Sequence, residues 1–261
     1  MGTAGGDEGR LRRFAVLIDA DNTSPRIAEG LFAEIARFGE ASVRRIYGDF
    51  SSPRLKSWAE ILQRFAIDPH QQFAYTQGKN ASDIALVIDA MDLLHAGHLD
   101  GFCLVSSDSD FTRLASRLRE HGAEVYGFGE QKTPESFRNA CRRFIYTENL
   151  SAPSEATAAG QASPPVARQP LATAAELLST AVAQMEADED GWVHLGGVGT
   201  RVRTIAPDFD ERTYGCRKLS ELVGKMPEFE VKQSAKGMLI RPAARAKPRG
   251  TARRSPASGA R

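Results

Sequence analysis

The chain has 261 residues, 41% hydrophobic and 26% charged, with a formal net charge of +1, which suits a soluble globular protein of two domains, and no apolar run approaches the length needed to cross a bilayer. Its cysteines, Cys103, Cys141 and Cys216, are an odd and scattered set that suits reduced thiols better than a disulfide framework or a metal site. The polar opening MGTAGGDEGR lacks the apolar core of a secretory signal, so a cytoplasmic protein is expected.

Residues 1–11 read as a disordered N-terminus, and a first folded block follows over 12–150. Residues 14–19 are predicted as a strand. Ser24 and Pro25 then stand as N-cap and first helical residue, with Ile27, Leu31, Ile35 and Phe38 at helical spacing behind them. A second strand is predicted over 43–47, a helix from Ser52-Pro53, and a short third strand over 72–75. Ser82 is expected to cap a long helix over 83–95. The apolar run 101–105 reads as a buried parallel strand. A helix over 111–121, a strand over 124–128 and a helix opening at Thr133-Pro134 complete the block. Alternation of this kind predicts an α/β fold, a parallel sheet with helices on both faces.

The stretch 151–170 is rich in Ala, Ser and Pro and low in large apolar residues, the composition of a flexible linker. A second, smaller block over 171–242 reads as helix (174–185), short strand (192–195), helix (198–205), helix (212–225) and two strands around 233–237. That is the order of a winged helix-turn-helix. Residues 243–261 read as a disordered basic tail: the last 21 residues, 241–261, hold seven basic residues and no acid. It is either a solubilising tail or a sequence-independent phosphate anchor. The two blocks are each net −3, from 18 basic against 21 acidic residues over 1–150 and 8 against 11 over 171–240.

Chemistry concentrates where α/β sheets bind ligands, at the carboxyl ends of strands. FAVLIDADNTSP ends the first strand with Asp19, Asp21 and Asn22. FCLVSSDSDF ends the fourth with Ser106, Ser107, Asp108 and Asp110. GKNASD supplies Lys79 and, at a helix start, Asp83. Asp21, Asn22 and Ser109 taken singly are ordinary turn or cap residues, and Lys79 an ordinary loop lysine. Three converging acidic segments are costly without a cation. Oxygen ligands without His or Cys suit Mg²⁺ or Mn²⁺ rather than Zn²⁺. Such ions support phosphoryl transfer. Asp89 and Asp92, further along the same helix, turn away from Asp83 and read as surface or supporting residues.

FAVLIDADNTSP, GKNASDIALVIDAMDLL and FCLVSSDSDFTRLASRLREHGAEVYGFG, in that order, resemble the three signature segments of NYN domains of the LabA-like branch, over residues 12–148. The resemblance implies a PIN-like, Rossmann-like fold and a Mg²⁺- or Mn²⁺-dependent endoribonuclease. Its acidic site would be Asp19, Asn22, Asp83, Asp108 and Asp110, with metal ligands Asp19, Asp83, Asp108 and Asp110. Lys79, Ser106 and Ser107 are expected at the substrate. GWVHLGGVGTRVRTIAPDFDERTYGCRKLSELVGKMPEFEV resembles the LOTUS (OST-HTH) domain, which implies an RNA- or protein-binding adaptor. Arg212, Arg217 and Lys218 are its candidates for phosphate contact, or else a solvated face. Trp192, Phe209, Tyr214, Leu219, Leu222 and Phe229 are expected in its core.

Two other readings of the residues stay open. DADNT also fits the D-x-D-x-T motif of haloacid-dehalogenase-type phosphatases, with Asp19 as covalent nucleophile and Asp21 as acid/base. Against it, Thr23 runs straight into a Pro-started helix, and Asp83 has no role there. The third reading is a non-catalytic RNA-binding scaffold.

Overall fold

The computed structural model describes residues 10–73, 81–150, 169–235 and 237–243. The linker 151–168, the tail from 244 on and Lys79 therefore lie outside the described residues.

The first block opens with β1 (Arg13–Asp19), whose residues alternate between two cores. Phe14, Val16 and Ile18 face one side of the sheet, Ala15 and Leu17 the other. Ser24, extended and accepting the Arg26 N–H, caps a 3-10 turn with Pro25 at its start, which leads into α1 (Ala28–Ile35). After β2 (Glu40–Gly48), Ser52 and Pro53 repeat that device before the short α2 (Lys56–Ala59) and α3 (Leu62–Phe65). There follow β3 (Asp68–Gln71), α4 (Ala81–Ala96), β4 (Gly101–Val105), α5 (Thr112–Glu120), β5 (Glu124–Gly129), α6 (Glu135–Ala140) and β6 (Arg143–Tyr146).

The six strands form one parallel sheet in the order β3-β2-β1-β4-β5-β6. The chain winds outward from β1 through β2 and β3, then outward the other way from β4. The reversal falls between β1 and β4, where such sheets open a crevice at their carboxyl ends. α1 and α2 cover one face through Leu31, Ile35 and Trp58. α4, α5 and α6 cover the other through Leu86, Ala90, Leu114, Leu118 and Phe137.

Two expectations shift here. The third strand lies at 68–71, ahead of the expected 72–75, of which 74 and 75 lie outside the described residues. Its DPHQ sequence has little strand propensity, and it survives as an edge strand, where proline is tolerated. The edge strand β6 has no counterpart among the expected elements, because it follows α6 with almost no turn between them.

The second block contains α7 (Leu171–Ala183), β7 (Val193–His194), α8 (Leu195–Ile205), α9 (Leu219–Gly224), β8 (Phe229–Ser234) and β9 (Gly237–Pro242), with an antiparallel sheet β7-β9-β8. Leu178, Val198, Val202, Leu222 and Ile240 are fully buried at its centre. The single helix expected over 212–225 is broken. A 3-10 turn, Glu211–Tyr214, ends at Gly215 with φ 74°, a conformation that suits glycine, and α9 restarts only at Leu219. Phe209, Tyr214, Leu222 and Phe229 are buried as expected; Trp192 is only half-buried, with the Arg241 guanidinium 4.4 Å above its ring.

The blocks touch directly. The Phe144 N–H of edge strand β6 donates to the Pro207 carbonyl at 2.9 Å. Asp208 accepts from Tyr146 Oη at 2.6 Å and pairs with Arg138. Asn149 Nδ2 donates to Thr213 Oγ1 at 2.9 Å. Arg212 pairs with Asp210 and, at 3.0 Å, with Glu34 of α1, while Arg143 flanks both acids at 3.7 and 3.9 Å. Glu34 and Asp210 are 4% and 3% exposed, so these charges are compensated inside the joint. Burial pushes the Asp210 carboxyl up, but its bonds with Arg212 outweigh that and hold it below the usual aspartate range. All three cysteines are buried free thiols. No helix among the described residues is long and apolar enough to cross a membrane.

Candidate functional site

The β1–β4 crevice is where the acidic segments arrive. Asp19, the last residue of β1, is 1% exposed. Its Oδ1 accepts the backbone N–H groups of Asp21 (3.1 Å) and Asn22 (3.4 Å). Its Oδ2 accepts Asn22 Nδ2 (2.8 Å) and Ser106 Oγ (2.7 Å). Burial raises its carboxyl pKa, and the bonds from Ser106 and Asn22 pull it partly back. Asn22 is thus the residue that turns the chain after β1 and clamps the buried acid.

Beyond β4, Ser106 joins the two strand ends: its hydroxyl donates to Asp19 and accepts the Asp108 N–H at 3.1 Å. Asp108 caps the turn that starts α5, accepting the Asp110 N–H at 2.9 Å. Ser107 Oγ accepts the Glu130 N–H at 2.9 Å and so ties the β4 end to the β5 end. The Thr23 hydroxyl donates to the Val105 carbonyl, and Trp58 Nε1 to the Thr23 carbonyl, which pins the post-β1 turn over the crevice.

Asp83 comes in from the first turn of α4. Burial first, then the charges of Asp19, Asp108, Asp110 and Asp21, push its carboxyl up to about 6. All the expected acids therefore share one field. α4 is held against β2 by Asp89, which accepts from both Arg45 and Tyr47 Oη; the expectation of a supporting role for Asp89 fits this position. Asp92 is exposed on the same helix. Arg54, not anticipated from sequence, lies at the rim with its guanidinium 3.5 Å from Asp21. Its only sequence signal was its place just after the second Ser-Pro cap.

In the second block Arg217 and Lys218 are exposed at the start of α9. Arg212 is not available in the same way: it is committed to Asp210 and Glu34, and a phosphate would have to displace both carboxylates.

Oxygen donors alone line this crevice, which is the chemistry of a hard divalent cation. The mutual repulsion felt by Asp83 is the strain that such an ion relieves. In their present positions, however, no three His, Cys, Asp or Glu side chains among the described residues stand ready to hold a metal. Asp19 already accepts from the side chains of Asn22 and Ser106 and from two backbone amides.

A six-stranded parallel sheet with acids at its switch point fits a PIN-like fold, and comparison with known proteins assigns it. The NYN domain family matches residues 13–150, and the chain belongs to that family. The OST-HTH/LOTUS domain, an RNA-binding module, matches residues 167–240. No curated protein matches the chain. Among solved structures, a protein of unknown function from Vibrio parahaemolyticus is similar at 17% identity and a TM-score of 0.46, covering 54% of this chain and 96% of its own.

Proposed function

We propose that this chain is a divalent-metal-dependent ribonuclease that hydrolyses RNA phosphodiester bonds in the β1–β4 crevice, with the winged-helix module holding the RNA. The observation that carries the reading is Asp83, pushed to about 6 by burial and by four neighbouring carboxylates. A fold tolerates such crowding where a cation is to be bound. Asp19, Asp83, Asp108 and Asp110 are the ligands proposed for Mg²⁺ or Mn²⁺, which when bound would activate water and offset charge on the phosphoryl oxygens. Asn22 and Ser106 orient Asp19, Ser107 holds the β4 end in register with β5, and Arg54 stands at the rim within reach of a phosphate. Lys79 remains proposed at the substrate, as do Arg217 and Lys218.

The phosphatase reading loses support: a nucleophilic Asp19 would be 1% exposed with both oxygens hydrogen-bonded. One observation favours the scaffold reading, namely that among the described residues no three His, Cys, Asp or Glu side chains are arranged to ligate a metal. Incubation with labelled structured and single-stranded RNAs under Mg²⁺, Mn²⁺ or EDTA, beside Asp108→Asn, separates the two. Cleavage that needs the ion and Asp108 is the expected result. RNA binding with no cleavage under any ion would establish the scaffold.

A further inference from the structure

His95 lies in the last turn of α4, and His121 closes the neighbouring α5. Both side chains are exposed, and their rings stand 6.1 Å apart at 67°. Each ring turns the same nitrogen back on its own helix. Nδ1 of His95 is 2.7 Å from the Met91 carbonyl, and Nδ1 of His121 is 3.0 Å from the Arg117 carbonyl. A carbonyl oxygen only accepts, so both Nδ1 atoms carry a proton. In the neutral imidazole the lone pair is then left on Nε2.

That is the state of a metal-binding histidine, which donates one ring N–H to a carbonyl or carboxylate while the other nitrogen ligates. The ring separation suits one shared ion. An ion 2.0–2.1 Å from each Nε2 lies about 3.2 Å from each ring centre, so rings up to about 6.4 Å apart can share it. A tetrahedral ion would bring the rings to about 5.2 Å, a closure of about 1 Å by two exposed side chains. A cavity of about 440 Å³ opens beside His121, against the turn that follows α4, and gives room for the ion's waters. Among the described residues no three His, Cys, Asp or Glu side chains stand together. The pair therefore supplies two ligands and leaves the other positions to water.

This place is separate from the acidic crevice. Asp83 opens α4 and His95 nearly closes it, about 18 Å further along the axis at 1.5 Å per residue. The chemistry differs too: imidazole suits Zn²⁺, Ni²⁺ and Cu²⁺, whereas carboxylate oxygens suit Mg²⁺ and Mn²⁺. We propose that His95 and His121 form a second cation site, for a late first-row divalent ion that ties the C-terminal end of α4 to that of α5.

The test uses the full chain and Cu²⁺, whose electron spin-echo modulation records the remote nitrogen of each imidazole bound to it. With Mg²⁺ in excess, one equivalent of Cu²⁺ should show two imidazoles. His95→Ala or His121→Ala should leave one, and should weaken Zn²⁺ binding in calorimetry about ten-fold or more. Both positions are exposed, so the variants should melt with the wild type in EDTA. Asp83→Asn should keep both imidazoles, because it lies in the other site. Copper held by oxygen alone would overturn the proposal. So would two imidazoles that persist in His95→Ala/His121→Ala, or Zn²⁺ binding that is lost with Asp83→Asn and kept in the histidine variants.

Discussion

The guanidinium of Arg212 lies 3.0 Å from the carboxylate of Glu34, joining a winged-helix turn to the first helix of the nuclease-like block across 178 positions of sequence. Removing one partner of a buried ion pair leaves the other uncompensated, at a cost of roughly 3–5 kcal/mol. Arg143, 3.7 Å from Glu34, offsets part of that. Arg212→Gln should therefore destabilise by about 3 kcal/mol. Adding Glu34→Gln should cost less than the two single effects summed, because the stranded charge is gone. Chemical denaturation of the three variants measures this; strict additivity would mean that the pair is not coupled in solution. The neighbouring Arg212–Asp210 pair should weaken in acid: the folded-state pKa of Asp210 is depressed, so its contribution is present above the ordinary aspartate range and lost as pH falls below that range through the depressed folded value.

Asp83 behaves in the opposite sense. Its folded pKa of about 6 is raised above the ~3.9 of a free aspartate. The fold favours its protonated form, and that contribution is complete below about pH 4 and lost as pH rises through about 6. Metal-free wild type should therefore lose melting temperature relative to Asp83→Asn between those values. Parallel pH curves for the two proteins would show that the crowding of carboxylates is not felt.

Divalent ions should raise the melting temperature of the wild type by binding the folded state. Asp110→Asn should melt higher than wild type in EDTA, because one repelling charge is removed, and should lose most of the metal-induced rise. Differential scanning fluorimetry with Mg²⁺ and Mn²⁺ titrations reads both effects. A wild type indifferent to either ion would leave the crevice as a hydrogen-bonded network alone.

Asp89 carries a further prediction, since Arg45 and Tyr47 hold α4 through it. Asp89→Ala leaves a half-buried guanidinium and a buried phenol without their acceptor, a cost of about 1–3 kcal/mol. Asp83 sits on the same helix, so cleavage should slow several-fold in kcat while the KM for RNA changes little. An equal loss in both would mean that Asp89 acts on substrate binding rather than by positioning the helix.

The sheet and its acids were legible because they depend on local signals. Apolar strand runs end in Asp19 and Val105, and the Ser24-Pro25 and Ser52-Pro53 caps mark the turns that follow. The joint between blocks was not legible. Glu34, Asp210 and Arg212 look in sequence like members of solvated faces, and no periodicity records which charge meets which across a fold. The same limit hid the role of Arg54. The helix break at Gly215 was legible in principle, since glycine followed by a non-helical stretch is a stop signal, but the apolar spacing of residues on either side concealed it.

The hydrogen bond from Phe144 to Pro207 has one more consequence. β6 is the last strand of its sheet, and an open strand edge is a template on which other chains can add strands. The winged helix lays a proline-bearing segment along that edge, and proline has no N–H with which to extend the ladder. In this arrangement the module covers part of that edge, in addition to the RNA contact proposed for it. A nuclease-like block cut free at residue 150 would be expected to gather into aggregates seeded at β6, and any activity lost with the module would have to be judged against that loss of solubility.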